Sequence, residues 1–377
     1  MTPAPNAWVT VSRGALRHNW DAVRRLVTPA EGAGPRIITV VKANAFGHGA
    51  ADTARTFQDA GADFFAVTTL AEGVELRDAW IGGRILVFLP PLPEQWDATI
   101  AYDLDATVCD EAGLRGLAQA ARTQGRVLNA HLKVDTGMGR LGALPDAALP
   151  LARVLAEEPS LAFAGVYTHF ARALEDNAGS ARRQFALFQQ VIVRLQNEGI
   201  DAGLRHCANS AALVRFPAMR LDAVRPGTLL YGQYPSAAVP RALDLQDTWQ
   251  LQARIVAVRD VPAGASVGYG GEWTARRASR LAVLPIGYAD GFGISPASAG
   301  QGWRGVKTLL RGLRGGGLTV SVRGRRAPIV GRVAMQICTA DVSDIPGVSA
   351  GDIVTLPARR ITTSARLPRV YQDDPLL

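Results

Sequence analysis

Residues 36–49 read RIITVVKANAFGHG, and this stretch decides how the first part of the chain folds. The β-branched run Ile37–Val41 is typical of a buried strand, yet it ends in Lys42, and glycines follow at positions 47 and 49. Such a strand places an amine at the edge of a sheet, where the strand ends of α/β proteins carry their chemistry. The glycines are expected to let the following turn and helix pack closely beneath that amine.

Lysine is rare in this chain of 377 residues. Among its 41 basic residues only Lys42, Lys133 and Lys307 are lysine, and the others are arginine. Arginine stays charged, whereas lysine can lose its proton and act as a nucleophile or a base. Lys42 and Lys133 both end strand-like runs, which favours a chemical role for them over the alternative that they are leftovers of a general preference for arginine.

Short apolar strands alternate with amphipathic helical patterns in the first part of the chain. The predicted strands are Ile37–Val41, Phe64–Val67, Ile85–Phe88, Ala106–Val108, Asn129–Val134, Ala162–Tyr167, Leu204–Cys207 and Leu221–Val224. The predicted helices between them are Ala50–Ala60, Leu70–Trp80, Glu111–Gln124, Ala147–Glu157 and Ala181–Glu198. Repeated units of this kind predict a parallel sheet, and eight strands favour a (β/α)8 barrel of the TIM type. The alternative, a doubly wound open sheet, more often carries a glycine-rich fingerprint, which Gly47-His48-Gly49 matches poorly.

The alternation of strand and helix patterns ends after Tyr234-Pro235. From Thr248 onward turn signals separate short β-like runs, which are Leu251–Val258, Arg280–Pro285, Leu318–Val322, Ile329–Val333 and Ile337–Val342. This pattern predicts a mostly β domain at 241–377 after a cofactor-binding barrel at 12–240. The N-terminal strand within 1–11 is expected to pack with the second domain.

The net charge of +8 does not by itself indicate a nucleic-acid partner. Most arginines are scattered along helical patterns, which is typical of a solvated face. Trp303–Arg326 concentrates positive charge but lacks interleaved base-stacking aromatics, so a basic surface loop and no bound nucleic acid are predicted. Ser295–Gly302, rich in Ser, Gly and Ala, is predicted to be a mobile surface loop.

Cysteine usage and the N-terminus favour a cytoplasmic protein. Cys109, Cys207 and Cys338 are odd in number and widely spaced, which argues against a disulfide framework and against a CxxC metal site, and no metal is expected. The first residues lack a signal-peptide pattern, and no apolar run is long enough to span a membrane. We therefore expect no membrane partner.

Polar groups follow five of the predicted strands. They are Lys42, Lys133–Arg140, Tyr167-Thr168-His169, His206–Ser210 and Val224–Gly227. A lone histidine or arginine at such a position is more often structural. Because the carboxyl ends of barrel strands share one rim, five such groups are expected to converge on a functional site.

The chemistry of these groups is coherent. A desolvated lysine forms a Schiff base with an aldehyde. The hydroxyl of Ser210, with free N–H groups beside Gly227 and Thr228, is suited to a phosphate at a helix start. A lysine and a phosphate cradle together favour pyridoxal phosphate. A class I aldolase also places a Schiff-base lysine in a barrel, but it ranks second because it needs neither a cofactor phosphate nor an arginine opposite a pyridine nitrogen.

Nearly the whole chain resembles the alanine racemases, the barrel-type enzymes that use pyridoxal 5'-phosphate. The motifs that carry the resemblance are VVKANAFGHG (40–49), HLKVDTGMGRLG (131–142), GVYTHFARA (165–173), HCANSAA (206–212), VRPGTLLYG (224–232), VGYGGEWTA (267–275), PIGYADGF (285–292) and VGRVAM (330–335). The resemblance implies interconversion of L-alanine and D-alanine, which supplies D-alanine for cell-wall peptidoglycan. It also implies a homodimer whose two subunits share each active site.

Individual residues acquire roles from this resemblance. Lys42 would carry the cofactor and act as one acid/base, and the partner subunit's Tyr269 would be the other. Arg225 would face the pyridine nitrogen and keep it unprotonated. His169 would link the tyrosine to this arginine, with His206 behind.

The resemblance also implies contacts to the substrate and to the rest of the cofactor. Arg140 would contact the cofactor's phenolic oxygen and the substrate carboxylate, and Lys133 would be carbamylated to an anion that holds Arg140. Met335 and Gln336 would border the substrate. The remaining expected cofactor contacts are Phe46, Asn209, Ser210, Gly227, Thr228 and Tyr231.

Four departures from the family pattern concern the cofactor grip and the substrate gate. Phe46 stands where the family usually has a tyrosine whose hydroxyl bonds the phosphate, and Gln336 stands in place of aspartate. Gly293-Ile294 replaces Pro-Arg, and Leu356–Arg366 is short and lacks the tyrosine that usually narrows the entrance. Alanine remains the leading substrate.

Two alternatives to a strict alanine racemase stay open. One is a racemase of broader specificity that also accepts serine, for example. The other is a non-catalytic relative that binds pyridoxal phosphate, although the intact set of Lys42, Tyr269 and Arg225 argues against it.

Overall fold

The computed structural model describes residues 4–29, 32–175, 177–294 and 317–376. The chain divides into two compact units. One comprises Arg13–Thr248 with Asp373–Pro375, and the other the described parts of Met1–Ser12 and Trp249–Gln372. The first strand, β1 (Ala7–Ser12), belongs to the second of these units.

The unit built on Arg13–Thr248 contains the parallel strands. They are β2 (Arg36–Ile37), β3 (Thr39–Val40), β4 (Phe64–Val67), β5 (Arg84–Val87), β6 (Ala106–Val108), β7 (Leu128–Lys133), β8 (Leu161–Tyr167), β9 (Leu204–Asn209) and β10 (Ala223–Arg225). Their hydrogen bonds give the orders β2-β10-β9-β8-β7-β6 and β3-β4-β5.

Two short connections close these strands into a ring. Between β2 and β3, the N–H of Ile38 donates to the carbonyl oxygen of Val224 at 2.8 Å, so 36–40 acts as one strand position. A parallel bridge between Leu86 and Asp105 joins β5 to β6. Eight strand positions therefore surround the barrel axis, and the predicted (β/α)8 barrel is confirmed, while the open-sheet alternative is wrong. The predicted single strand Ile37–Val41 is divided because its first half pairs with β10 and its second half with β4.

Helices follow most of the barrel strands. They are α1 (Arg13–Val27), α2 (Lys42–Gly47), α3 (Ala50–Asp59), α4 (Leu70–Asp78), α5 (Trp96–Ala101), α6 (Glu111–Thr123), α7 (Pro145–Glu157), α8 (Gly179–Asn197) and α9 (Ser210–Arg215). The five predicted helices correspond to α3, α4, α6, α7 and α8. The helix α4 begins with a capping box in which Thr69 and Glu72 satisfy each other's main-chain N–H groups. None of the helices in the described ranges combines the length and the apolar character needed to cross a bilayer.

The interior of the barrel is apolar beneath its rim. A cluster of side chains that are almost completely inaccessible fills it, formed by Ile38, Val40, Phe64, Ala66, Leu86 and Ala223. These residues come from four neighbouring strand positions, which are 36–40, β4, β5 and β10. Their packing fixes the strand ends above them, so the functional groups at the rim stand on a rigid base.

The unit that contains β1 is mostly β. Its further strands are β11 (Trp249–Arg254), β12 (Ala257–Val261), β13 (Ser266–Val267), β14 (Trp273–Thr274), β15 (Ser279–Leu284), β16 (Thr319–Val322), β17 (Arg325–Val330), β18 (Cys338–Asp341), β19 (Ile353–Leu356) and β20 (Arg369–Gln372). Nine strands form one sheet in the order β12-β15-β18-β17-β16-β19-β11-β1-β20. Within it, β1 pairs antiparallel with β11 and parallel with β20.

The prediction of a basic loop over Trp303–Arg326 is partly wrong. Residues 303–316 lie outside the described residues, as does the predicted mobile loop Ser295–Gly302. The following residues form an antiparallel hairpin in which β16 pairs with β17. Its turn places Arg323 and Gly324 at φ values of 50° and 73°. The alternation of buried and partly buried residues along β16 explains why this end is a strand.

Candidate active site

A cavity of about 280 Å³ lies at the rim where the barrel strands end. Its lining residues are Lys42, Thr68, Phe88, Leu89, Lys133, Arg140, Leu141, Tyr167, His169 and Arg225. The polar groups that follow β3, β7, β8 and β10 therefore meet in one place. Among the described residues, no group of three or more His, Cys, Asp or Glu side chains is arranged to hold a metal ion.

Lys42 opens a turn of unusual backbone conformation. Its next four residues, Ala43, Asn44, Ala45 and Phe46, have φ values of 53°, 53°, 50° and 53°, and so form a left-handed helical turn. Each non-glycine residue in this conformation costs about 1–2 kcal/mol. Sequence reasoning missed this turn because only asparagine among these residue types favours it, and it attributed the close packing to the glycines alone.

One hydrogen bond from a distant helix and two from nearby residues hold the left-handed turn. The N–H of Ala43 donates to Glu72 at 2.6 Å, and the side-chain oxygen of Asn44 accepts the N–H of Ala50 at 2.8 Å. The buried imidazole of His48 places Nδ1 2.9 Å from the carbonyl oxygen of Ala45. Strained backbone that persists under such restraint is concentrated at functional sites. The turn fixes where the Lys42 side chain leaves the strand.

The two lysines in this cavity share an electrostatic property. Burial lowers the pKa of Lys42, and Arg140 lowers it further, while Glu72 opposes the shift. Burial also lowers the pKa of Lys133 to about 8, and the charges of Arg225 and Arg140 act in the same direction. A larger fraction of each amine is therefore neutral near pH 7–8 than for an exposed lysine, and a neutral amine is the nucleophilic form.

Arg140 stands on a loop that one carboxylate organises. Asp135 accepts four successive main-chain N–H groups, from Gly137 through Arg140, at 2.8–3.1 Å. Those bonds lower the pKa of Asp135 despite its partial burial. Arg140 and Lys133, the two residues that the resemblance pairs, therefore line the same cavity.

Arg225 is fixed by neutral acceptors. It is 4 % exposed, and its guanidinium donates to the carbonyl oxygens of Thr168 at 2.6 Å and His206 at 2.9 Å. Nδ1 of His206 lies 2.8 Å from Nη1, and Nδ1 of His169 lies 3.5 Å from Nη2. Burial and the charge of Arg225 lower the pKa of His169 to about 3, so this imidazole is neutral. The expected trio of Arg225, His169 and His206 is therefore assembled.

The predicted phosphate cradle differs in one detail from the expectation. The N–H of Gly227 is not free, because it donates to Oγ of Ser210 at 2.8 Å. The side chain of Asn209 caps α9 by accepting the N–H groups of Ala211 and Ala212 at 3.1 Å each. By contrast, Oγ1 of Thr228 is buried and has no hydrogen-bond partner among the described residues.

These hydroxyls fit a phosphate. A buried polar atom without a partner is costly, so the Thr228 hydroxyl indicates that a polar ligand completes this site. Ser210 accepts one bond, and its own hydrogen remains available for an anion. A Cβ at Gly227 would approach Cζ of Phe46 to 3.0 Å, which explains why glycine stands there. The observed groups therefore fit the phosphate end of pyridoxal phosphate.

Tyr231 has a structural contact that the sequence did not reveal. Its buried hydroxyl donates to the carbonyl oxygen of Val40 at 3.0 Å, two residues before Lys42. Its ring centroid lies 4.7 Å from those of both Phe46 and His48. Tyr231 thus braces the strand and the left-handed turn, and its role as a cofactor contact stays a prediction.

The remaining predicted residues lie on the β unit. Tyr269 begins a short turn, Tyr269–Gly271, and its side chain is 74 % exposed. It borders a groove of about 560 Å³ within that unit, beside Arg332. Met335 and Gln336 are also exposed. These residues present free surface in a single chain, and their roles stay predictions.

Comparison with known proteins decides the family. The profile of "Alanine racemase, N-terminal domain" matches residues 11–235, and that of "Alanine racemase, C-terminal domain" matches 248–369. The chain belongs to the alanine racemase family. It is 38% identical to an alanine racemase of Desulforamulus reducens over 97% of this chain and 98% of the relative. It is 40% identical to one from Sorangium cellulosum over 91% and 86% of the two chains.

Solved structures of the alanine racemase family share this fold. An alanine racemase of Clostridium difficile superposes with a TM-score of 0.89 at 26% identity, covering 100% of this chain and 98% of that one. The alanine racemase of Bacillus anthracis with bound L-Ala-P gives a TM-score of 0.84 at 28% identity and the same coverage. The family assignment confirms the predicted resemblance, the barrel followed by a mostly β part, and the dependence on pyridoxal phosphate.

Proposed function

We propose that this chain interconverts L-alanine and D-alanine with pyridoxal 5'-phosphate, using Lys42 and Tyr269 as its two acid/base groups. The observation that carries the proposal is the cavity at the barrel rim. There, Lys42, whose pKa is lowered, lines the same cavity as Arg140, His169 and the buried Arg225. The aldolase alternative is disfavoured because an aldolase needs neither a hydroxyl at the position of the buried Thr228 nor an arginine such as Arg225 in the cavity.

When bound, pyridoxal phosphate supplies an electron sink that makes the α-proton of an amino acid removable. Ser210 and Thr228 would hold its phosphate. Lys42 would hold its aldehyde carbon, and Arg225 would face its ring nitrogen. Because a guanidinium has only donors and keeps its proton, Arg225 would hold that nitrogen without protonating it. Phe46 would contribute a ring where the family usually contributes a hydroxyl.

Racemisation requires two proton-transfer groups on opposite faces of the substrate carbon. Lys42 would remove the α-proton on one face, and a tyrosine would return a proton on the other, with the roles exchanged in the reverse direction. Tyr269 has the chemistry for the second role. Its strong exposure in a single chain supports its use in a site that a second subunit completes. We therefore propose a homodimer in which the partner subunit's Tyr269 serves the cavity that contains Lys42.

Arg140 would bind the substrate carboxylate, and Met335 and Gln336 would border the substrate. Carbamylation of Lys133 would turn a second buried cation into an anion, which holds Arg140 in place. The neutral fraction implied by a pKa of about 8 suits Lys133 for reaction with carbon dioxide. The unit boundaries proposed for these roles are 12–240 for cofactor binding and 241–377 for the β domain. The expected biological outcome is D-alanine for peptidoglycan, made in the cytoplasm.

The test combines an assay with chemical fixation. Purified protein should racemise either alanine enantiomer to an equal mixture of the two, and borohydride should fix the cofactor on the peptide that contains Lys42. Lys42→Ala should abolish both results, while the replacement Arg55→Ala on α3 should leave them unchanged. Cofactor recovered on Lys133 or Lys307, or racemisation that survives Lys42→Ala, would contradict the assignment.

A further inference from the structure

Hydrogen bonds continue from Arg225 through the barrel interior to a buried carboxylate. Beyond the Arg225–His206 contact, Nε2 of His206 lies 3.2 Å from Nδ1 of His131. Nε2 of His131 in turn lies 3.2 Å from Oδ2 of Asp105. The same oxygen receives Nε of Arg84 at 2.8 Å. His206, His131 and Asp105 are all buried, so these contacts are shielded from water.

Only one arrangement of hydrogens satisfies all three contacts that link Arg225, His206, His131 and Asp105. Burial lowers the pKa of both His206 and His131, so each imidazole is neutral and carries one N–H. Arg225 has only donors, so Nδ1 of His206 must accept, and its Nε2 must carry the hydrogen. That hydrogen donates to Nδ1 of His131, whose Nε2–H is then left to donate to Asp105. The order of donation is therefore Arg225, His206, His131 and Asp105.

A carboxylate suits the end of this series of hydrogen bonds because an ionised carboxylate can only accept hydrogen bonds. If either imidazole adopted its other tautomer, two donors would face each other, at 2.8 Å for Arg225 and His206. Arg225 disfavours this state at one end of the series, and Asp105 disfavours it at the other, since an ionised carboxylate has no hydrogen to offer. Burial raises the pKa of Asp105, but the contact with His131 and, after it, the charge and bond of Arg84 outweigh burial, so the pKa of this carboxyl stays lowered. Nη2 of Arg84 also lies 3.1 Å from Nε2 of His131. These two donors lie close together because both residues bind the same oxygen, Oδ2 of Asp105.

We propose that His131 and Asp105 are positioning residues for Arg225, which fix the tautomer of His206 and so hold the arginine in its place at the cavity. The proposal rests on the proposed function, because it concerns the arginine that faces the cofactor ring. The position of Arg225 would then decide whether the enzyme racemises its substrate or transaminates it. A displaced Arg225 no longer keeps the ring nitrogen unprotonated, and a protonated ring is the stronger electron sink.

A stronger sink favours transamination as a side reaction of the alanine reaction. In that reaction the amino group of alanine passes to the cofactor, and water supplies the keto oxygen of pyruvate. The amino acid is oxidised and the cofactor aldehyde is reduced to an amine. The number of pyruvate molecules formed per racemisation therefore reports on the position of Arg225, whereas a general loss of stability lowers both reactions together.

The test compares His131→Phe with a matched control. Phenylalanine fills the space of the imidazole but neither accepts from His206 nor donates to Asp105. The control is Asn129→Ala, because Nδ2 of Asn129 donates to Asp105 at 3.0 Å without being part of the chain to Arg225. His131→Phe should raise pyruvate formation per racemisation roughly tenfold, by analogy with the residues that orient metal-bound histidines, while the control should not change it. His131→Gln keeps one acceptor and one donor and should restore the ratio.

A second measurement uses the protein without cofactor. With ¹⁵N-labelled histidine, the imidazole signals of His206, assigned by their loss in His206→Asn, should show only the Nε2–H tautomer in the unmodified protein. They should show a mixture of the two neutral tautomers in His131→Phe and in Asp105→Asn. The second variant replaces the first in the test if His131→Phe does not fold. A single Nε2–H tautomer in both variants, or an unchanged pyruvate ratio in a folded one, overturns the proposal. Failure of the unmodified protein to racemise alanine would instead overturn the proposed function.

Discussion

Glu72 joins the turn after Lys42 to the start of α4. Its Oε1 accepts the N–H of Ala43 at 2.6 Å, and its Oε2 accepts those of Thr68 and Thr69 at 2.8 and 3.1 Å. One carboxylate thus restrains the first peptide of a strained turn and caps a helix at the same time. An ionised carboxylate is the only side-chain group that offers acceptors on both oxygens.

Glu72→Gln should therefore destabilise the protein. The amide presents hydrogens where main-chain N–H groups also point, so at least one partly buried bond is lost, at a cost of about 1–3 kcal/mol in the free energy of unfolding. Urea denaturation measures the change. Glu75→Gln on the same helix is the control, because burial and Glu72 already raise the pKa of Glu75, and its neutralisation removes repulsion. Equal effects of the two variants would contradict this role of Glu72.

Trp80 follows α4 in a left-handed conformation, with a φ of 61°, and is 86 % exposed. The exposed side chain contributes little packing, and a non-glycine residue in this backbone conformation is unfavourable. Trp80→Gly should therefore raise the free energy of unfolding by about 1 kcal/mol. Thermal unfolding measures the gain. Trp80→Ala keeps the unfavourable conformation and should bring no comparable gain; a gain as large as that of glycine would show that the backbone is not the cause.

Lys133 should make stability depend on pH in the alkaline range when carbon dioxide is excluded. Its pKa falls from 10.5 to about 8 on folding, so between these values the unfolded state binds more protons than the folded state. Stability should therefore rise as pH increases from about 8 to about 10.5, and this rise should be smaller in Lys133→Met. Denaturation series at closely spaced pH values measure both slopes, and parallel curves would refute the prediction.

Lys133 should also become carbamylated when carbon dioxide is present. Its neutral fraction makes the amine reactive, and the carbamate relieves the proximity of two cations. With ¹³C-bicarbonate, a carbamate signal is expected in the unmodified protein and in Lys42→Ala but not in Lys133→Arg. A high-resolution map that shows a bare ammonium at Lys133 would be the contrary result.

Subunit mixing tests the shared site. Lys42→Ala and Tyr269→Ala homodimers should both be inactive, but refolding them together should give mixed dimers with one intact site each. Random pairing makes half of the dimers mixed, so about a quarter of all sites should be restored. The control is the same refolding of each variant alone. Mixed dimers confirmed by native mass spectrometry but without activity would place Tyr269 in its own subunit or outside the reaction.

Substrate range should be wider than that of a family member with the usual gate. If the expected gate is correct, Gln336, Ile294 and the lack of a tyrosine in 356–366 would leave fewer large or charged groups at the entrance. Pockets that select for a methyl group discriminate by only about 1–3 kcal/mol per methylene, so small changes matter. A chiral assay over several amino acids should show serine racemisation, enhanced relative to a gate-bearing homologue. Strict activity on alanine would count against this expectation.

The sequence by itself determined the alternation of strands and helices, the change to a β-rich part near Thr248, and the polar groups at strand ends. These features are local, because hydrophobic periodicity and turn residues act over a few positions. They were sufficient to predict the barrel and to bring Lys42, Lys133, His169 and Arg225 to one rim, since parallel strands end on the same side.

Only the tertiary structure decided the features that depend on distant partners. The left-handed turn at 43–46 is locally unfavourable, so no local propensity predicts it, and Glu72 on α4 restrains it from a distant part of the sequence in addition to the local contact of His48. The N–H of Gly227 was expected to be free, yet strand pairing brings Ser210 to it. The series of donated hydrogen bonds from Arg225 to Asp105 also depends on distant partners. No sequence spacing predicts it, because its members lie on β10, β9 and β7 and just before β6, and β8 separates the strands of His206 and His131.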